Sequence, residues 1–254
     1  MIRKKPQGHT LINSYLRGLY ARTMREAYAL ARQEAVSDFV EGWTILDCGA
    51  DDGGNFETLR ALAPITAAQY HGMEWSPDLV RKAQDRGLNV RQGDLNQPLP
   101  LDDQQFDCVL GLSVLEHLLN GCQFIVEARR ILKPGGKLVI LTPNISTYFT
   151  IALLLAGRMP STGPHPDSNQ LIKAAVSLNM KDIEGMVEGD HPTHRHLVVF
   201  SFRTLREFLG LAGFESITGR GFGLYPFPNF LQRPLERLDP WHCHQMVFTA
   251  RKPA

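Results

Sequence analysis

The sequence predicts an α/β fold with a doubly wound, mixed sheet of seven strands, mostly parallel with the last strand antiparallel. From Trp43 onward, short apolar runs alternate with turn residues and helical patterns, which is typical of successive βα units. Parallel strands joined by helices must be covered on both faces. The length of 254 residues fits one such domain with a lid or an insertion. A hydrophobic content of 43% with 21% charged residues excludes a disordered or fibrous chain.

A helical segment precedes the first strand. Residues 10–40 place apolar side chains at helical spacing, with arginines mostly between them, which predicts one or two amphipathic helices. We therefore expect residues 1–42 to form an N-terminal helical lid and residues 43–254 to form the main domain.

The other elements follow in alternation. The predicted strands are TILDC, YHGME, LNVRQ, FDCVLG, KPGGKLVILT, FESITGRG and HQMVFTARK. The predicted helices are NFETLRALA, PDLVRKAQDRG, VLEHLLNGCQFIVEARRIL and SFRTLREFLGLAG. Ser201 is the expected N-cap of the last helix, and Gly213 lies just past its end. Residues 143–197 break the rhythm with many Pro, Gly and His residues, and we expect this insertion after strand five to cap the acceptor site.

The composition indicates the cellular compartment and the class of binding partner. Lys and Arg number 27 against 26 Asp and Glu, and this balance disfavours nucleic acid and favours a small molecule. The four cysteines form no Cys-x-x-Cys pair, so we expect a reducing, cytoplasmic location. The N-terminus lacks the unbroken apolar core of a signal peptide, and Tyr148 to Ala156 is shorter than the ~20 residues of a transmembrane helix. A homodimer is compatible with these observations.

The loop after the first strand, Asp47 to Gly54, is the first sign of a ligand site. In open α/β sheets the ligand lies beyond the carboxyl ends of the strands. Glycines there allow close approach of the backbone and a positive φ, and the next helix offers free N–H groups. Because any tight βα turn uses glycine, this loop alone does not establish a nucleotide site.

Three features farther along the chain strengthen that prediction. Glu74 ends the second strand about 20 residues beyond the loop, where an acid can accept hydrogen bonds from both ribose hydroxyls. Asp94 and Leu95 follow the third strand, where they suit the amino group and the ring of adenine. Gly111 and Leu112 end the fourth strand and bring backbone carbonyls near the charged end of the ligand.

In these motifs the chain resembles the class I S-adenosylmethionine-dependent methyltransferases, in particular the small-molecule branch with MetW-like and UbiG-like proteins. The resemblance covers roughly residues 43–142 and lies in TILDCGADDGG, YHGMEWSPDLVRKA, QGDLNQPLPLDDQQFDCVLGLSVLEHL and ILKPGGKLVILTPN. It implies a Rossmann-like fold and an enzyme of class EC 2.1.1 that converts S-adenosylmethionine to S-adenosylhomocysteine. The cofactor-binding residues that it implies are Asp47, Gly49, Ala50, Asp51, Gly53, Glu74, Trp75, Asp94, Leu95, Gly111 and Leu112.

One position departs from the family pattern. Asp51 stands where members usually have glycine. Because Asp tolerates the left-handed region better than most residues, we expect the turn to survive.

A methyl transfer needs few catalytic side chains, because the sulfonium already carries an electrophilic methyl group. A hydroxyl acceptor also needs a base, and histidine suits that role. The candidates are His117, His194 and His196, with His191 beside them. The spacing of His191, His194 and His196 matches no zinc template, so we predict no metal site. The segment 242–244 (His-Cys-His) is expected at the sheet edge opposite the site, in a structural role.

Other functions fit less well. The loop reads G-x-x-x-G-G, whereas dehydrogenases carry G-x-G-x-x-G. Asn55 stands where a P-loop needs lysine. We expect methyl transfer to a small-molecule hydroxyl of a natural product, sugar or lipid-like metabolite. A non-catalytic, cofactor-binding accessory subunit remains the alternative.

Overall fold

The chain forms one seven-stranded sheet in the order β3-β2-β1-β4-β5-β7-β6. The computed structural model describes residues 8–160, 162–165 and 195–254, with side chains from residue 15 onward. The strands are β1 (Ile45–Cys48), β2 (Tyr70–Glu74), β3 (Asn89–Gln92), β4 (Phe106–Leu112), β5 (Leu132–Pro143), β6 (Glu215–Phe222) and β7 (Gln245–Arg251). β1 to β5 pair in parallel, and β7 is antiparallel to both β5 and β6. This confirms the predicted fold class.

Helices cover both faces of the sheet. They are α1 (Gly8–Val36), α2 (Gly54–Leu62), α3 (Pro77–Asp85), α4 (Gly121–Ile131), α5 (Tyr148–Leu155), α6 (Phe202–Leu211) and α7 (Asn229–Leu238), with short 3₁₀ helices at Leu115–His117 and Pro240–His242. The buried side chains of α1, α2 and α3 share one core cluster, and those of α4 and α6 share the other. Strands buried on both faces explain the nearly continuous apolar runs of β4 and β5.

The N-terminal segment is one helix whose second half belongs to the core. Ala27, Ala31 and Ala35 are fully buried at a spacing of four residues, and the small side chains let α1 pack closely on the sheet. Just beyond α1, Asp38 forms an ion pair with the buried Lys137 of β5, with 3.0 Å between the charged atoms. The C-terminal end of α1 is therefore fastened to the sheet.

Two local predictions are confirmed at α6. The hydroxyl of Ser201 accepts a hydrogen bond from the backbone N–H of Thr204, as an N-cap does. Gly213 has a φ of 84° just past the end of the helix. Within the described ranges, no helix is both long enough and apolar enough to cross a bilayer.

The predicted long helix after β4 is wrong in its first half. A 3₁₀ turn ends at His117, and α4 begins only at Gly121. The side-chain oxygen of Asn96 accepts hydrogen bonds from the backbone N–H groups of Leu119 and Asn120. These bonds to a distant loop replace the helical ones and break the helix.

The placement of residues 242–244 is also corrected. Gln245, the first residue of β7, pairs with Pro143 at the carboxyl end of β5. An antiparallel strand begins where its parallel neighbours end, so this segment lies at the same sheet edge as the candidate site and not at the opposite one.

Candidate functional site

The glycine-rich loop between β1 and α2 has the backbone conformation that the sequence predicts. Gly49 has a φ of 74°, and a Cβ atom there would collide with the side chain of Val114, just after β4. Gly53 has a φ of 81° and precedes α2. Asp51 takes a φ of 52°, and its carboxylate accepts a hydrogen bond from the next backbone N–H at 2.7 Å. The aspartate therefore keeps the left-handed turn in place of glycine.

Glu74 connects β2 to this loop. Its carboxylate accepts hydrogen bonds from the backbone N–H groups of Asp51, at 3.0 Å, and of Ser76, at 2.9 Å. A carboxylate offers about four lone-pair positions, so two bonds leave room for further donors. Glu74 can thus support the loop and also accept hydrogen bonds from a ligand.

Asp47 carries an unpaired oxygen at the carboxyl end of β1. Its side chain is fully buried, and Oδ2 accepts hydrogen bonds from the Tyr70 hydroxyl at 2.6 Å and the Asn55 amide at 3.0 Å. Oδ1 has no partner within the described protein. Burial raises the pKa of Asp47 to about 6, although the bonds from Tyr70 and Asn55 oppose this shift. A buried acceptor without a donor is costly, so this oxygen is suited to a donor or cation on a bound ligand.

The remaining predicted cofactor residues lie along the same edge, because β2, β1 and β4 are neighbours and β3 lies next to β2. Asp94 accepts hydrogen bonds from the backbone and the side chain of Asn96. Leu95 and Leu112 are buried, whereas the Trp75 side chain is 55% exposed. The buried residues Ala50 and Gly111 complete this row. The fold therefore brings the predicted set to one edge of the sheet, at the carboxyl ends of the parallel strands.

Helix α1 contacts this edge of the sheet through two side chains. The Arg32 guanidinium donates to the Asn55 side-chain oxygen at 2.7 and 3.1 Å, and Asn55 in turn donates to Asp47. The Tyr28 hydroxyl donates a hydrogen bond to the hydroxyl of Ser113, which follows β4. Sequence reasoning assigned none of Asn55, Arg32 and Tyr28 to the site. Asn55 was compared only with the P-loop pattern, and Arg32 and Tyr28 showed only helical spacing.

A second group of polar side chains lies after β4. The rings of His117 and His196 are 5.2 Å apart, and Glu116 lies beside them. Two of the three predicted catalytic histidines thus come together, whereas His194, like His191, lies outside the described residues. Sequence reasoning did not place Glu116 among the site residues, because Ser113 stands where the E-x-x-E-H pattern of UbiG-like proteins has its first glutamate.

Burial changes the protonation of this group. It raises the pKa of Glu116 to about 7, and Thr142 partly opposes this by donating a hydrogen bond at 3.0 Å. Burial also lowers the pKa of His196 to about 3, with a further contribution from His117. His196 is therefore neutral at physiological pH.

Comparison with known proteins shows what this chain is similar to. Residues 46–140 match a family model described as a methyltransferase domain. The ubiquinone biosynthesis O-methyltransferase of Maricaulis maris is 32% identical over 121 residues, which are 45% of this chain and 46% of that protein. The demethylmenaquinone methyltransferase of Tropheryma whipplei is 33% identical over 102 residues, 39% of this chain and 41% of that protein. The chain thus spans less than half the length of these relatives.

A solved structure is similar in fold over most of this chain. Phosphoethanolamine N-methyltransferase 2 of Haemonchus contortus, in complex with S-adenosyl-L-methionine, has a TM-score of 0.58 at 14% identity. The alignment covers 91% of this chain and 53% of that chain. At this identity the likeness concerns the fold. Residues 46–140 are thus similar to a methyltransferase domain, and the seven-stranded sheet has the fold of this solved methyltransferase.

Proposed function

We propose that this chain transfers a methyl group from S-adenosylmethionine to a hydroxyl of a small molecule and releases S-adenosylhomocysteine. The observation that carries the proposal is the buried, unpaired Oδ1 of Asp47 beside the glycine-rich loop. An ammonium group is the kind of partner that such an oxygen accepts. When bound, the cofactor supplies an electrophilic methyl group on a positively charged sulfur.

Each predicted cofactor-binding residue would have a role that follows from its chemistry. Asp47 would accept a hydrogen bond from the cofactor ammonium, and Glu74 would accept from the ribose hydroxyls. Asp94 would accept from the adenine amino group, while Leu95 and Trp75 would cover the ring. The other members named above, Gly49, Ala50, Asp51, Gly53, Gly111 and Leu112, would contribute backbone approach and shape.

The group around His117 is the proposed place of acceptor deprotonation. His196 alone is a weak base, because its pKa is lowered to about 3. In His117, Nδ1 lies 2.9 Å from the carbonyl oxygen of Arg195, so Nδ1 is the donor and the carbonyl orients the ring. His117 and His194 stay the candidate bases, and for His194 the argument comes from the sequence alone.

The proposal includes an acceptor that is a small molecule and that is methylated at a hydroxyl oxygen. The name of the Maricaulis relative specifies O-methylation, which supports oxygen as the methylated atom. The near balance of acidic and basic residues supports a small acceptor over nucleic acid. We also propose α1 as a lid over the cofactor. The predicted cap over the acceptor, the insertion at 143–197, falls largely on residues 166–194, which lie outside the described part of the chain. A place in the MetW-like and UbiG-like branch and a cytoplasmic location complete the proposal.

Isothermal titration calorimetry with S-adenosylmethionine and S-adenosylhomocysteine tests the cofactor site. Glu74→Ala should lower cofactor affinity by ~1.5 to 3 kcal/mol, about 10- to 150-fold, because charge-assisted hydrogen bonds are lost. Glu207→Ala, an exposed glutamate on α6, is the matched control and should bind normally. Since Glu74 also holds the glycine loop, thermal unfolding without cofactor separates lost binding from lost folding. Absence of binding heat in the unmodified protein would contradict the proposal.

A non-catalytic cofactor-binding subunit is the second candidate. The weak basicity of His196 is the observation that favours it. A radiolabelled methyl-transfer assay over a panel of hydroxylated acceptors distinguishes the two, because an accessory subunit would bind the cofactor without turnover.

A further inference from the structure

Arg32 and Asn55 form a chain of hydrogen bonds that links helix α1 to the buried Asp47. The Arg32 guanidinium lies over the ring of Tyr28, one helical turn earlier, with 5.0 Å from Cζ to the ring centroid. Two nitrogens of Arg32 donate to Oδ1 of Asn55, at 3.1 and 2.7 Å. Nδ2 of Asn55 then donates to Oδ2 of Asp47 at 3.0 Å. The link therefore runs from α1 through α2 to the carboxyl end of β1.

Arg32 determines which way round the Asn55 amide lies. A guanidinium only donates hydrogen bonds, so the amide oxygen faces Arg32 and the amide NH₂ group faces Asp47. In the reversed orientation, the amide oxygen would lie against the carboxylate of Asp47, and two acceptors would repel each other. The orientation that Arg32 imposes therefore favours an ionised Asp47.

The same contacts leave one oxygen of Asp47 for a ligand. Oδ2 accepts from Asn55 and from the Tyr70 hydroxyl, and these two bonds use both lone pairs of that oxygen. Burial and the neighbouring Asp47 raise the pKa of Tyr70, so Tyr70 stays a neutral donor. Oδ1 has no partner within the described protein. A donor on a ligand can thus bind Oδ1 without displacing Asn55 or Tyr70.

The charged groups around Asp47 act in opposite directions. Arg32 on α1 favours the ionised carboxylate, whereas Glu74 at the end of β2 disfavours it. Burial raises the pKa values of the Cys48 and Cys108 thiols, so neither adds a charge at neutral pH. Of these groups, Arg32 is the one with a positive charge.

We propose that Arg32 is a positioning residue for the cofactor: through Asn55 it keeps Asp47 ionised, with Oδ1 available to the ammonium group of a bound S-adenosylmethionine. This inference rests on the function proposed above and adds a residue of α1 to the cofactor site. Arg32 acts on Asp47 and not on the carboxylate of the cofactor. Binding of the adenosine part does not depend on Arg32.

Three ligands separate this role from direct contact with the cofactor. Calorimetry on the full chain at pH 7 compares S-adenosylmethionine, decarboxylated S-adenosylmethionine, which keeps the ammonium group, and 5′-methylthioadenosine, which lacks the ammonium and the carboxylate. Arg32→Met should weaken binding of the first two ligands by at least about fivefold and leave the third unchanged. Arg32→Lys keeps the positive charge and should recover most of the affinity. Arg25→Met, at an exposed position earlier on α1, is the control and should bind normally.

Two further readouts would not change if Arg32 had a purely structural role. Without its charge, the midpoint of the pH-dependent affinity should move upward by at least about 0.5 pH unit, because Asp47 then takes up a proton more readily. Asn55→Leu removes the link, so Arg32→Met should weaken binding by less than about twofold in that background. Thermal unfolding without ligand checks that each variant folds, and Arg32→Gln replaces Arg32→Met if the latter does not.

Three results would overturn the proposal. The first is an unchanged affinity and pH midpoint in Arg32→Met. The second is weaker binding of S-adenosylmethionine alone, which would mean that Arg32 contacts the cofactor carboxylate directly. The third is full additivity of Arg32→Met and Asn55→Leu. Absence of binding heat in the unmodified protein would instead contradict the proposed function, so the two failures are told apart.

Discussion

The hydroxyl of Tyr28, on α1, donates a hydrogen bond to the Ser113 hydroxyl at 3.0 Å, and Ser113 follows the carboxyl end of β4 with a φ of 55°. A residue other than glycine in this left-handed conformation is uncommon and needs support from its surroundings. The bond ties α1 to the loop that carries Glu116 and His117. Departure of a bound cofactor would require this contact to open if α1 is the lid that we propose.

Tyr28→Phe should speed cofactor dissociation. Loss of one hydrogen bond of about 0.5 to 1.5 kcal/mol corresponds to a change of roughly 2- to 12-fold. Stopped-flow displacement of bound S-adenosylhomocysteine measures the rate. Tyr15→Phe makes the same substitution at an exposed tyrosine of α1 and serves as the control. Equal rates in both variants would argue against α1 as a lid.

Cofactor affinity should depend on pH through Asp47. Its pKa is raised to about 6, so below that pH the carboxyl group is neutral and attracts an ammonium group less. We expect affinity to fall as pH decreases from 7 to 5 in the unmodified protein. Asp47→Asn should bind more weakly at pH 7 and lose this dependence. Calorimetry at several pH values measures it, and Asp102→Asn, an exposed site, is the control.

The raised pKa of Asp47 also determines how the stability of the cofactor-free protein changes with pH. Because the folded state disfavours the ionised form of Asp47, this group lowers the free energy of unfolding as pH rises from about 4 to about 6. The contribution is at most roughly 3 kcal/mol. Urea unfolding of Asp47→Asn should show a smaller loss over that range. A loss equal to that of the unmodified protein would mean that Asp47 is not the group responsible.

Gly49→Ala should destabilise the fold, whereas Gly18→Ala should stabilise it. Alanine at position 49 meets both a φ of 74° and the Val114 side chain, at a cost of about 1 to 3 kcal/mol. Position 18 is an exposed helical site with open space around it, where alanine gains roughly 0.5 to 1 kcal/mol. Chemical denaturation measures both changes. In the Gly49→Ala/Val114→Ala double variant, the steric part of the cost should disappear and the backbone strain should remain.

His244 should make the protein less stable in acid. It is half-buried between Tyr20 and Tyr225, with ring centroids 5.6 and 5.3 Å away, and desolvation lowers its pKa to about 4. The unfolded chain takes up a proton near pH 6.5 and the folded chain does not, so stability is lost as pH falls from 6.5 to 4. His244→Phe keeps the aromatic contacts and should lose less stability over this range. Urea unfolding at pH 7 and pH 5 compares the two slopes; equal slopes would contradict this role.

The elements of the sheet were predictable because their signals are local. The run YHGME matches β2 (Tyr70–Glu74), and the helix signals at Ser201 and Gly213 match α6, since each depends on neighbouring residues. The break between His117 and Gly121 was not predictable. It depends on Asn96, which lies 23 residues before Leu119 in the chain and reaches it only in the folded structure.

In the candidate site, too, some features were predictable from the sequence and others were not. The positions of Asp47, Glu74 and Asp94 follow from the ends of parallel strands, which meet at one edge of a sheet. Their partners do not follow, because the bonds from Tyr70 and Asn55 to Asp47 depend on side-chain packing. The edge on which residues 242–244 lie required the pairing of Gln245 with Pro143.

By itself, the sequence determined the fold class, the glycine-rich turn and the acids that follow the strands, since periodicity and turn chemistry act over a few residues. The tertiary structure alone decided which side chains meet. Glu116 joins His117 and His196 only because the returning segment pairs with the Glu116 backbone, and Asp47 keeps an unpaired oxygen only because the folded core excludes water from it. Contacts between distant segments depend on the packing of the whole chain, which no local pattern records.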